Sequence, residues 1–278
     1  MEINHRITIA INRETKAAFA IAGLDIELHR FPESSNASLD MLESDCRWAA
    51  ISPQLRRFRS LDIVWTLFSE EELLASKYVA IMPGWVYGYP QPSDNFRYLN
   101  VTYDRSEFCG NCGTGLMQKA SFRMKGEPPW GKRAFSFMNW VDDEVFIRSD
   151  VWQSVLEPLG IKCLPVQQDR SRSELKTVVQ MDTSQTVPLD IRTSLGEMCP
   201  ICRTPKYGHV RRGPYPPPDI EVDLPTFRSN QYFGADSTAY RQLMIRQSVY
   251  REITKMKLKG LCFGACGFWD GTGGITFE

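Results

Sequence analysis

Two short stretches constrain this chain more than anything else in it: Cys109-Gly-Asn-Cys112-Gly113 and Cys199-Pro-Ile-Cys202. Thiols three positions apart in one tight turn face a common point. Two such turns facing each other supply tetrahedral sulfur coordination, the usual closed structural zinc site. Gly113 follows the second ligand, where the chain often needs a positive φ, and the fixed φ of Pro200 stiffens the second knuckle. About 85 residues separate the pairs, against the 15–20 of a compact ribbon. The expected site is therefore split, with a substantial substructure inserted between its halves. The expected cofactor is one structural zinc per chain, held by Cys109, Cys112, Cys199 and Cys202. Iron in the same site, a redox dithiol and two unrelated pairs are the competing readings. A thioredoxin-like dithiol needs a knuckle that opens a helix, and neither knuckle is followed by an obvious one.

The chain is long enough, at 278 residues, for one large domain or two ordinary ones. A 42% hydrophobic and 24% charged composition is that of a globular protein. The formal net charge of zero argues against a general nucleic-acid or anionic-membrane binder, which carries a basic surplus. No secretory leader pattern is visible in Met1–Arg13, and no apolar stretch approaches the length that spans a bilayer. The expected compartment is the cytoplasm, where eight cysteines read as metal ligands and buried thiols rather than a disulfide framework.

Hydrophobic periodicity outlines the rest. Ile3, Ile7, Ile9 and Ile11 alternate as in a half-buried strand, and Asn12 is placed to cap a helix through Thr15–Ala22. Leu24, Ile26 and Leu28 suggest a second strand, 39–48 a helix and 61–68 a third strand. Ser69-Glu-Glu-Glu72 is a capping box before a short helix. Residues 83–95 form a Pro/Gly loop carrying Trp85, Tyr87 and Tyr89, whose rings either fold back on the core or offer a partner surface. Further strands are expected at 98–103, 133–140, 144–148, 175–181, 242–246 and 261–263. Ser149 and Ser248 are placed to cap helices. The expected fold is α+β: mixed sheets with short helices, stapled by a split zinc-ribbon-like site. The expected division is an N-terminal α/β region, 1–95, and a zinc-stapled domain, 96–278.

Catalytic motifs are missing: there is no H-E-x-x-H, no G-x-S-x-G and no Walker loop. A zinc closed by four thiolates has no open position for water. Arg203, Lys206, Arg211 and Arg212 follow the second knuckle and are candidates for a phosphate or partner contact. The alternative is that they offset the net negative charge of a four-thiolate zinc. His209 lies near that knuckle as a surface or outer-sphere group. Cys262 and Cys266 have no further pair to complete a second site, and Asp270-Gly-Thr-Gly-Gly274 reads as a flexible tail.

From residue 98 to about 263 the order of these features resembles the bacterial double-CxxCG-motif proteins, a group that includes immunity proteins of myxobacterial toxin-exchange systems. The resemblance rests on Cys109, Cys112 and Gly113, then Trp152, then Cys199, Pro200 and Cys202, and finally Lys259-Gly260-Leu261. Cys202 is followed by Arg203 where that pattern has glycine. The resemblance implies a non-enzymatic cytoplasmic protein whose partner is a protein, specifically a toxin it neutralises. The alternatives are a nucleic-acid-binding zinc ribbon and an enzyme with a structural zinc.

Overall fold

The structure, a computed structural model, describes residues 1–24, 28, 30–192, 196–269 and 274–277. The fold is α+β, with mixed sheets and short helices. The chain forms two compact units. One comprises Met1–Glu72 with Val210–Pro214 and Phe268–Thr276; the other comprises Leu73–His209 with Tyr215–Gly267 and Phe277–Glu278. The division thus falls at 72/73 and not near 95. The reason is the strand Tyr78–Pro83, which pairs on one side with Tyr240–Arg246 and on the other with Leu261–Ala265, and so belongs to the second unit.

The first unit is built on the strand Glu2–Ala10, flanked antiparallel by Asn36–Leu42 and Leu61–Leu67. Its alternation puts Ile7 and Ile9 fully inside, and Ile11 follows at the strand's end. Asn12 then starts the helix Arg13–Ile21 with a reciprocal cap: its Oδ1 accepts from the Thr15 N–H at 2.8 Å, and the Thr15 hydroxyl accepts from the Asn12 N–H at 2.9 Å. Phe19 from this helix meets Ile51 and Leu55 from the helix Trp48–Arg57 over the isoleucines. The stretch read as a helix over 39–48 is instead the end of the strand Asn36–Leu42 followed by a turn over 43–47, and the helix begins only at Trp48. Ala37, Leu39 and Met41 alternate with polar Ser38 and Asp40, and Ala37 and Met41 face the core once the central strand offers a pairing edge. The strand expected at Leu24–Leu28 lies largely outside the described residues.

The second unit holds two larger sheets. One runs Arg123–Met124, Cys163–Gln168, Glu174–Met181, Val141–Arg148, Phe135–Met138. The other runs Gly196–Met198, Pro205–Tyr207, Thr226–Phe233, Tyr240–Arg246, Tyr78–Pro83, Leu261–Ala265, with Thr186–Val187 added on Thr226–Phe233. The helix Gln247–Lys255 buries Val249, Tyr250 and Ile253, one face at helical spacing.

Several local expectations are corrected. Residues Tyr98–Thr102 are helical, and only Tyr103–Asp104 is strand. Tyr98 and Thr102, four apart, are the buried pair, a helical spacing hidden among β-favouring residues. Ser149 does not cap. Its hydroxyl is buried without a partner, and the segment runs as three short helical pieces to Leu159, stopped by Gly160 at φ 81°. Ser248 likewise lies inside the helix that Arg246 precedes. Residues 270–273, in the stretch read as a tail, lie outside the described residues; beyond them Ile275–Thr276 pairs with Phe268–Trp269. Among the described residues no helix is long and apolar enough to cross a membrane.

Candidate metal centre

Each cysteine pair is the loop of a β-hairpin. Cys109 and Cys112 lie between Tyr103–Asp104 and Met117–Gln118, which pair antiparallel. Cys199 and Cys202 lie between Gly196–Met198 and Pro205–Tyr207. The two loops repeat the same backbone bonds. In the first, the Cys109 N–H donates to Thr114 O at 2.9 Å and the Gly113 N–H to Cys109 O at 2.8 Å. In the second, Cys199 donates to Thr204 O at 3.1 Å and Arg203 to Cys199 O at 3.0 Å. The closing residue has a left-handed backbone in both, Gly113 at φ 81° and Arg203 at φ 62°. Arg203 therefore takes up the conformation that a glycine would occupy. A Cβ at Gly113 would collide with the Ser237 carbonyl oxygen, whereas Arg203 is exposed and has room for its side chain.

The loops bring all four sulfurs together: every Sγ lies within 4.8 Å of the others. Cys109 and Cys199 are 3.9 Å apart and Cys112 and Cys202 are 3.5 Å apart. Zn–S bonds of about 2.3 Å in a tetrahedron put sulfurs ~3.8 Å apart, so the spacing suits a single ion. Polar groups surround the sulfurs. Asn111 Nδ2 donates to Cys199 Sγ at 3.3 Å, and the Thr114 hydroxyl lies 3.1 Å from Cys112 Sγ. Bonds from the Thr204 hydroxyl and N–H pull the Cys202 thiol down to about 5. Backbone N–H groups in the knuckle, that of Cys202 first, lower Cys199 as well. Burial pushes Cys112 the other way, up to about 11. Four adjacent sulfurs cannot all ionise without a central positive charge, and the donor set is that of a soft or borderline cation. The site therefore fits a metal ion held by Cys109, Cys112, Cys199 and Cys202. Among the described residues, Cys46, Cys163, Cys262 and Cys266 stand outside the cluster.

The remaining sequence candidates are placed as follows. The Lys206 ammonium donates to Cys112 O at 3.0 Å, to Thr238 O at 3.2 Å and to Asp236 O. It binds the carbonyl shell around the first knuckle and is occupied there. Arg211 and Arg212 belong to the first unit, where Arg212 pairs with Glu43 at 2.7 Å. The four cations are thus divided between the units, and two of them are engaged. The His209 ring stacks on Tyr240, with centroids 5.4 Å apart, and does not join the sulfur cluster.

Trp85 is half-buried. It packs edge-on to Trp130 at 5.7 Å, stacks on Tyr87 at 5.6 Å, and carries the Arg133 guanidinium over its face at 4.7 Å. Tyr89 is 46% exposed and touches Trp140, which also touches Phe96, each at 4.5 Å between centroids. Phe96 and Trp140 were not apparent as site residues from sequence. Both are about half exposed and both have left-handed backbones, at φ 55° and 69°. Bulky residues take that conformation at an energetic cost, and no sequence signal marks it. No protein-family model matches the chain, and no curated protein does.

Proposed function

We propose that this is a zinc-stapled binding protein whose metal is structural and whose partner is another protein. The observation that carries the metal assignment is the cluster of four cysteine sulfurs. A tetrahedral ion held by all four would have no open position for a reacting water. A zinc ion there would neutralise thiolate charge and lock two hairpins that are distant in sequence. Thr114, Thr204 and Asn111 would orient the sulfurs by hydrogen bonding.

The partner reading is supported by the surface at Tyr89, Phe96 and Trp140, where exposed aromatic side chains are held in contact through Trp140. Exposed aromatic clusters of this kind are typical anchors of protein interfaces. On the double-CxxCG resemblance, the partner we propose is a toxin that this protein neutralises. The nucleic-acid reading loses support because Lys206 and Arg212 are held by internal partners. The test is direct binding to the protein encoded beside this one, using Trp140→Ala and Tyr89→Ala. Tight binding that Trp140→Ala weakens by a factor of ten or more is the expected result. Binding unaffected by both changes would remove the aromatic surface from the account, and no binding would remove the partner assignment.

A further inference from the structure

The second unit contains a cavity of about 550 Å³ whose walls are built from the same elements as the metal hairpins. Leu116, Met117 and Gln118 line it, and Met117–Gln118 is the outgoing strand of the first knuckle. Arg228 lines it from Thr226–Phe233, the strand that pairs with the outgoing strand of the second knuckle. The volume lies in the range of small-molecule sites.

One polar wall is internally satisfied. The Gln118 and Gln180 amides exchange hydrogen bonds at 2.9 and 2.7 Å. Gln180 also donates to Glu144 at 2.7 Å, and Arg228 donates to Glu144 at 3.0 Å and to Thr183 O at 2.6 Å. The Arg228 charge is therefore answered by Glu144, which is 1% exposed.

Arg241, on the same cavity, is different. Its guanidinium lies over the Tyr232 ring at 4.7 Å, and Nη2 donates to the Tyr232 hydroxyl at 2.9 Å. Its Nε is buried with no hydrogen-bond partner, and among the described residues no carboxylate forms an ion pair with it. This cation is left without an anionic partner, and an anionic oxygen is the group that complements it. Lys119, Ser121 and Ser184 add a further cation and two hydroxyls to the lining. Asp182 is the acid among the lining residues, and its Oδ1 accepts from the Ser184 N–H at 3.0 Å. Leu116, Leu164 and Pro165 supply an apolar wall.

We propose that this cavity binds a small organic carboxylate. The guanidinium of Arg241 supplies the charge that holds the carboxylate, and Leu116, Leu164 and Pro165 cover the apolar body. This ligand site is separate from the aromatic surface and does not depend on the partner reading.

The test uses the full metal-loaded chain and hexanoate as the probe, followed by calorimetry. Hexanamide, its uncharged counterpart, and inorganic phosphate are run beside it. The expected result is saturable one-to-one binding of hexanoate that falls about tenfold or more in Arg241→Gln and for hexanamide. The melting temperature and metal content of the variant check its fold. Should Arg241→Gln not fold, Lys119→Glu replaces it: this side chain is exposed, and an added anion at the cavity is expected to weaken hexanoate while the fold is kept. Absence of saturable binding to the unaltered chain overturns the proposal, as do equal binding of hexanamide and affinity unchanged in the variants. Phosphate displacing hexanoate with equal affinity would make this an inorganic-anion site and overturn the assignment to an organic acid.

Discussion

Gly113 and Arg203 occupy equivalent places in the two knuckles, but neighbouring backbone makes their requirements different. Both need a left-handed φ. Gly113 also lies against the Ser237–Ala239 backbone, so a side chain there has nowhere to go. Gly113→Ala is expected to destabilise the metal-loaded protein by about 2 kcal/mol or more, since strain and collision act together. Arg203→Gly is expected to do the opposite and stabilise by about 0.5–1 kcal/mol, by relieving the left-handed cost at an open position. Urea denaturation of both variants checks the pair. Equal effects would mean that the loops do not differ in packing. The first glycine was legible from the motif alone. That an arginine reproduces the same turn was not, because a positive φ at a non-glycine residue leaves no trace in composition or spacing.

At the scale of elements, periodicity located what local sequence controls. The strand Glu2–Ala10 and the capped helix Arg13–Ile21 follow from isoleucine alternation and from Asn12 and Thr15. The helix Gln247–Lys255 follows from Val249 and Ile253. Strand Asn36–Leu42 was hidden because its alternation rests on alanine and methionine and needs a neighbouring strand to be realised. Contacts far apart in sequence were equally hidden. His5 is buried with Nδ1 2.8 Å from Asp62 and Nε2 2.9 Å from Glu43, and its ring lies 3.9 Å from that of Trp48. Nothing near His5 in the chain announces those partners.

Glu144 is the other such case. It joins strand Val141–Arg148 to Gln180 on Glu174–Met181 and to Arg228 on Thr226–Phe233. Burial pushes its carboxyl up to about 7, with Arg228 opposing the shift. In the unfolded chain the same group ionises near 4.5. Between those values the unfolded chain releases a proton that the folded chain keeps, so stability falls as pH rises through that window and levels off above it. Glu144→Gln cannot titrate and is expected to lack that decline. Denaturant stability of both proteins from pH 5 to pH 8 isolates the effect, because acid loss of metal from the thiolates is common to both. Parallel curves would place the titration elsewhere.

For the whole molecule, the insertion between the cysteine pairs is the organising fact. The five-stranded sheet that ends in Phe135–Met138 is encoded between the two knuckles, while the knuckles themselves converge within one unit. A metal there closes a long loop of chain, so its stabilising effect reaches well beyond four residues. The paired motif made the four clustered cysteines legible. The cavity and the aromatic surface were not, since both are assembled from strands and loops that only the fold brings together. The measurement that tests the account most directly is the metal content of the purified protein beside Cys109→Ser and Cys199→Ser, with thermal unfolding of all three. A split structural zinc requires one zinc per chain in the unaltered protein. Each single substitution, one from each knuckle, should remove the metal and lower stability by several kcal/mol. Absence of metal from the unaltered protein, iron in place of zinc, or a variant that keeps its full complement would contradict a split structural zinc joining the two hairpins.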